Sequence, residues 1–212
     1  MDFNSKNHWE NVYQAKNPAE VSWYQAYPTV SLELIALTGI DHASKIIDVG
    51  GGASILVDQL LDRGFKNLTV LDISSKSMDY ARSRLGKRAG NVNWIEANIL
   101  QVELPSTYDL WHDRAVFHFL TSPEDRREYI KVMGKAVRPG GHVIIATFSL
   151  AGPPKCSGLQ VERYSPDKLQ EEIGDKFILV KNVDETHITP TQIRQEFVYC
   201  YFKKREKQGG TQ

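Results

Sequence analysis

Lys45-Ile46-Ile47-Asp48-Val49-Gly50-Gly51-Gly52 is the stretch on which the fold turns. A short apolar run that stops at glycines reads as a buried strand entering a tight turn. Glycines supply positive φ at such a turn and let a ligand approach the backbone. Ile55 to Leu61 follows with apolar residues at helical spacing and stops at Gly64, a good helix terminator. The alternation then continues. Asn67 to Ile73 reads as a strand, Ser75 to Lys87 as a helix with Met78, Ala81 and Leu85 on one face, Val92 to Ala97 as the third strand and Tyr108 to His112 as the fourth.

Pro123 to Val137 predicts a charged amphipathic helix with a proline in its first turn. Pro139-Gly140-Gly141 is expected to break it ahead of His142 to Phe148, the most apolar strand. A Gly/Pro loop from Ser149 to Tyr164 and a helix from Pro166 to Ile173 follow. Phe177 to Thr186 and Gln192 to Phe202 are longer strands around a turn with His187 and Pro190, expected as an antiparallel hairpin. Helices around Trp9 to Gln14 and Thr29 to Leu37 precede the first strand. Strands alternating with helices imply an α/β fold, a Rossmann-like three-layer sandwich with a mostly parallel seven-stranded sheet and an antiparallel last strand. The expected organisation is a single domain over 1–212, with a helical lid at 1–43, the core at 44–202 and a polar tail at 203–212.

Composition narrows the function. The 26 Lys+Arg balance 26 Asp+Glu, so no bulk positive field exists to hold a phosphate backbone, and no nucleic-acid partner is expected. Apolar residues at 41% and aromatics at 10% suffice for a sizeable core. Unbroken apolar runs such as Val143 to Ala146 fall far short of the roughly 20 residues that cross a bilayer. Met1 to Lys6 shows no signal-peptide stretch. Cys156 and Cys200 form no disulfide framework or close metal pair. The expectation is a cytoplasmic protein with no membrane partner and no metal.

Ligands on such a sheet bind at the carboxyl ends of its strands, where strand order reverses. Asp72, twenty residues beyond Gly52, ends the second strand and is placed to accept both hydroxyls of a ribose. A dinucleotide site wants Gly-x-Gly-x-x-Gly or Ala, but the sixth position from Gly50 is Ile55. That β-branched residue argues against a diphosphate. Asn98, after the third strand, sits where it would hydrogen-bond an adenine amine, Asp113 follows the fourth strand, and Arg138-Pro139-Gly140-Gly141 precedes the fifth.

With those residues placed, Lys45 to Phe148 resembles the class I S-adenosylmethionine-dependent methyltransferases. The resemblance implies S-adenosylmethionine as cofactor. Asp48 and Gly50 would lie near its methionine moiety, Asp72 would hold the ribose, and Asn98 with Ile99 would flank adenine, with Gly52, Ile73, Met78 and Asp113 also in the cofactor set. Asn98 stands where that family more often has Asp, and Ser54 where many members have a third glycine. Asp113-Arg114-Ala115, with Leu120 and Arg127-x-Tyr129 beyond, resembles the thiopurine S-methyltransferases. An Asp-Lys-Gly version occurs in the elongation-factor lysine methyltransferases, which share the amino-terminal Trp-x-x-x-Tyr layout of Trp9 and Tyr13.

Two of the four tryptophans, Trp9 and Trp23, precede the sheet. They either anchor an appended helix or, with Tyr13, form a lid whose ring faces suit a sulfonium cation. Asp113, Arg114 and His118 are the candidate catalytic residues. Arg114 would hold a carboxylate or simply pair with Asp113, and His118 would be a base or a buried core histidine. Gly152 to Leu159 and Thr186 to Pro190 are further candidate loops. No obvious strong base stands out, which suits in-line methyl transfer to a small, soft nucleophile such as a thiol. A protein lysine is the alternative acceptor, and a non-catalytic cofactor-binding module or a dehydrogenase the alternatives of another class. The Asn/Asp-Pro-Pro-Tyr signature of amide and nucleobase methylation is replaced by Asp113-Arg114-Ala115-Val116.

Overall fold

The computed structural model describes residues 5–206. Helices α1 (Ser5–Ala15) and α2 (Thr29–Leu37) precede the first strand, joined through a short 3-10 turn at Pro18–Glu20. Strand β1 (Lys45–Val49), α3 (Leu56–Asp62), β2 (Asn67–Asp72), α4 (Ser75–Leu85), β3 (Val92–Glu96), β4 (Tyr108–Arg114), α5 (Pro123–Ala136) and β5 (Val137–Phe148) then alternate. A two-residue hairpin, β6 (Lys155–Cys156) and β7 (Leu159–Gln160), leads to α6 (Pro166–Ile173), β8 (Phe177–Ile188) and β9 (Arg194–Lys204).

The main sheet has seven strands in the order β3-β2-β1-β4-β5-β9-β8. Strands β1 to β5 pair in parallel, and β9 runs antiparallel to both its neighbours. The last strand in the chain therefore slides between β5 and β8. Strand order reverses between β1 and β4, which opens a crevice beyond their carboxyl ends. Side chains alternate across the sheet. Phe197, Tyr199 and Tyr201 of β9 join the core beneath α2, α3 and α4, while Val198, Cys200 and Phe202 join the one beneath α5 and α6.

Local chemistry sets the helix starts. Ser74, Ser122 and Ser165 each accept from the backbone N–H three residues on, and prolines follow the last two. The helix α5 ends at Ala136 as its spacing suggests, but Pro139-Gly140-Gly141 does not separate it from the strand. Those residues lie inside β5 as an irregularity, because Val137 already pairs with Tyr108 and His142 with Leu110. The loop from Ser149 to Tyr164 contains the β6–β7 hairpin, turned by Ser157 and Gly158 at φ 50° and 80°.

Two boundaries move with consequence. Strand β4 runs on to Arg114, held by pairing of Asp113 with Ile145 and Arg114 with Ala146. Strand β9 runs to Lys204, whose Nζ donates to the carbonyls of Gly134 and Val137 at 2.6 and 2.7 Å. The expected tail is therefore anchored at its first residues, and residues 207–212, like 1–4 of the expected lid, lie outside the described residues. Among the described residues no helix is long and apolar enough to cross a membrane.

Candidate active site

The turn after β1 is built around two contacts that exclude side chains. Gly50 has φ +69°, and a Cβ there would lie 2.1 Å from Val116 Cγ2. A Cβ on Gly52 would lie 1.9 Å from Ser77 Oγ and 2.6 Å from Asp72 Oδ2. The missing side chain lets the Gly52 N–H donate to Asp72 Oδ2 at 3.0 Å, while Ser74 N–H donates to Oδ1 at 2.9 Å. Burial pushes the Asp72 carboxyl up to about 6, against the pull of those backbone donors. A carboxylate has about four acceptor positions, so these donors do not exhaust it and acceptor capacity remains for a ligand.

Beyond this turn lies a cavity whose lining includes Gly50, Asp72, Ile73, Asn98 and Ile99 from the strand ends. Trp9, Tyr13 and Trp23 of the amino-terminal segment line it too, with Arg114, Phe119 and Cys156. A second cavity shares Tyr13, Trp23, Val49, Gly50 and Arg114 with the first and adds Ser31, Asp48 and His112. In it Asp48 Oδ1 accepts from His112 Nδ1 at 2.7 Å, and His112 Nε2 meets Ser31 Oγ at 2.9 Å. Asp48 Oδ2 is buried and has no hydrogen-bond partner.

Arg114 is held on three sides. Its Nε donates to Tyr199 Oη at 2.8 Å, its Nη1 to the Trp23 carbonyl at 2.9 Å, and its guanidinium lies 4.4 Å from the Phe197 ring centre. Nη2 stands 3.6 Å from Glu185 Oε2 and makes no hydrogen bond. The site thus presents one anionic oxygen and one cationic nitrogen without hydrogen bonds, and a cradle that only glycine permits.

The segment over the cavities is tied down by polar contacts as well as rings. Glu10 accepts from the Ser75 N–H at the start of α4 at 2.7 Å, and Tyr80 Oη donates to the Tyr13 carbonyl at 3.2 Å. Trp9 packs edge-on against Trp23 and Phe119, at 5.6 and 5.1 Å between centres, and Trp23 Nε1 donates to Tyr13 Oη at 3.2 Å. These aromatics both dock the cap and line the cavity.

Residues 46–141 match a family model described as a methyltransferase domain. The eEF1A lysine and N-terminal methyltransferase of Mus musculus is 24% identical over 159 residues, 71% of this chain and 22% of that protein. A ubiquinone/menaquinone biosynthesis C-methyltransferase of Francisella philomiragia is 26% identical over 122 residues, covering 55% of this chain and 48% of its own. The N-methyltransferase NodS from Bradyrhizobium japonicum, solved with S-adenosyl-L-homocysteine, superposes with TM-score 0.74 at 18% identity over 96% of this chain and all of that one. Residues 46–141 thus carry a methyltransferase domain, and the chain resembles the class I S-adenosylmethionine-dependent methyltransferases. It spans about a fifth of the length of the eEF1A methyltransferases it matches.

In this methyltransferase the residues expected around the cofactor separate into groups. Trp9, Tyr13, Trp23, Gly50, Asp72, Ile73, Asn98 and Ile99 line the first cavity, and Asp48 lines the second. Gly52 acts through its N–H on Asp72. Met78 is fully buried in the core beneath and lines neither cavity. Asp113 is also misplaced by the expectation. It is fully buried and accepts from the N–H groups of Val116 and Phe117 and from Tyr129 Oη. Arg114 faces the opposite side and pairs with Glu185, not Asp113.

His118 fails as a base on position and on charge. It lies outside both linings, and burial, reinforced by the Arg114 cation, pushes its imidazole down to about 3. Ser31, His112, Glu185 and Tyr199 were not singled out by their sequence context, because long-range docking brings them to the site. Cys156 lies in a loop whose Gly/Pro content did mark it. Among the described residues no cluster of three or more His, Cys, Asp or Glu is arranged to hold a metal ion.

Proposed function

We propose that this methyltransferase acts on a small, soft nucleophile, with a thiol as the acceptor that suits the site best. S-adenosylmethionine, when bound, supplies an electrophilic methyl group on a sulfonium. The chain's own residues bind and orient. Asp72 holds the ribose through its remaining acceptor capacity, and Asn98 and Ile99 flank the adenine. Asp48 Oδ2 takes the ammonium and Arg114 Nη2 the carboxylate of the amino-acid end. Trp23 and Tyr13 cover the sulfonium, each ring contributing about 0.5 to 2 kcal/mol.

The observation that carries the thiol reading is the chemistry of the walls around Cys156. Arg114 is a cation, burial pushes the Cys156 thiol up to about 12, and Asp72 is occupied with backbone donors. Apart from Asp72, which the ribose takes in this reading, the lining of that cavity holds no carboxylate and no histidine among the described residues. A thiol near pKa 8.5 ionises far more readily than a lysine near 10.4, so positioning, with its ceiling of about 7 to 11 kcal/mol, can suffice without a base. The cap's aromatic enclosure also favours a small molecule over a polypeptide.

A protein lysine is the second reading, and two observations favour it. The eEF1A methyltransferases are among the relatives, and a groove bearing Glu96, Glu124, Asp125 and Glu128 shares Ile73 and Asn98 with the first cavity. The deciding experiment supplies labelled cofactor with a panel of small thiols, primary amines and lysine-rich polypeptides. S-methylation that rises with thiolate fraction supports the first reading. Labelled polypeptide without thiol turnover transfers the assignment to lysine.

A further inference from the structure

A hydrogen-bond chain runs from the cap into the floor of the second cavity. Ser31 sits in the first turn of α2, His112 on β4 and Asp48 on β1, and all three are buried. A carboxylate only accepts, so His112 Nδ1 carries the proton toward Asp48 Oδ1 across 2.7 Å. The neutral ring then offers a lone pair at Nε2, and Ser31 Oγ–H donates to it across 2.9 Å. With Oδ1 so pinned, Oδ2 is the one buried carboxylate oxygen among the described residues left without a hydrogen bond, at the cavity that also holds Arg114 Nη2, itself without a hydrogen bond.

We propose that Ser31 and His112 are positioning residues for the ammonium group of the cofactor. Asp48 sets the His112 tautomer, Ser31 holds the ring in its plane through Nε2, His112 fixes the rotation of the Asp48 carboxylate, and the free oxygen is thereby aimed at a cation. Without the serine hydroxyl, Nε2 loses its partner and the ring is free to turn, so Nδ1–H no longer pins Oδ1 in one orientation. Because Ser31 belongs to α2, the same chain makes recognition of the amino-acid end depend on docking of that helix. The inference rests on the assignment of the second cavity to that end of the cofactor.

The test is calorimetric and uses the full chain with two ligands, S-adenosylhomocysteine and 5′-methylthioadenosine, which lacks the amino-acid end. Ser31→Ala is expected to weaken S-adenosylhomocysteine about tenfold and to leave 5′-methylthioadenosine within about twofold. His112→Asn retains a donor toward Asp48 but cannot reach Ser31. It is expected to keep most of the preference and to make Ser31→Ala silent when the two are combined. Ser31→Thr, which restores the hydroxyl, should recover S-adenosylhomocysteine affinity. Equal weakening of both ligands in Ser31→Ala, or no weakening of either, would overturn the proposal. Equal affinity of the unmodified chain for the two ligands would instead remove the underlying cavity assignment, before any variant is made.

Discussion

Acidification from pH 7 to pH 5 is expected to weaken cofactor binding about tenfold, through one carboxyl group. Burial raises Asp72 from 3.8 to about 6, and a ribose diol donates its hydrogen bonds to the ionised form. With a value near 6, about nine-tenths of the unliganded protein carries the anion at pH 7 and about one-tenth at pH 5. An ordinary Asp would stay ionised through this range. The sign for folding is opposite. A carboxyl raised in the folded state stabilises the unliganded protein fully below about 3.8 and loses that contribution as pH rises through about 6. The displacement corresponds to about 3 kcal/mol. Calorimetric titration with S-adenosylhomocysteine from pH 5 to 8 reads the effect, and Asp72→Asn should bind at least tenfold more weakly at pH 7 and lose the slope. A flat wild-type profile, or an unchanged slope in Asp72→Asn, would refute the role given to this residue. Asp113 is raised to about 6 as well, but it lines neither cavity, so Asp113→Asn should keep the slope.

Gly52→Ala places a methyl group against Ser77 Oγ and Asp72 Oδ2 and is expected to abolish measurable cofactor binding in a chain whose circular dichroism is unchanged; retained binding would show that the cradle tolerates a Cβ. Arg114→Ala leaves Glu185 buried without its cation, the two side chains being 10% and 15% exposed, and should lower unfolding free energy by about 3 to 5 kcal/mol in urea. Adding Glu185→Gln should recover part of that loss, and strict additivity would deny the pairing. Removing residues 1–27 takes away Trp9, Tyr13 and Trp23 together and should weaken S-adenosylhomocysteine at least tenfold by calorimetry. Unchanged affinity would mean that these rings only dock the cap.

Residues close in sequence to a turn were legible, and residues joined by sheet register were not. The bounds of α2 and α6 follow from local spacing and capping, and so do the Gly50 turn and Asp72, because a βαβ unit fixes where its glycines and its next acid must stand. Asn98 follows from the same logic one strand later. Glu185 and Tyr199 carry no local signal. They reach Arg114 only because β9 inserts between β5 and β8, pairing Tyr199 with Val183 and Phe197 with Glu185. Ser31 and Gln25 reach the floor and Glu185 across 81 and 160 residues of chain.

Asp113 and Arg114 show how one strand boundary decides chemistry. Placed on a loop after His112, the two side chains are free to face one crevice and to pair. Placed on β4, they must point to opposite faces. His112 and Arg114 then share the side that carries Asp48 and the cap, while Asp113 turns with Trp111 toward α5, where Tyr129 donates to it. The two-residue extension therefore removes an acid from the cavity and leaves a cation there, paired only loosely with Glu185. Glu185 screens that cation from behind but lines neither cavity, so it is not placed to serve as a proton acceptor for an amine. On the proposed reading, the Arg114 cation beside Cys156 therefore favours an acceptor that arrives as an anion.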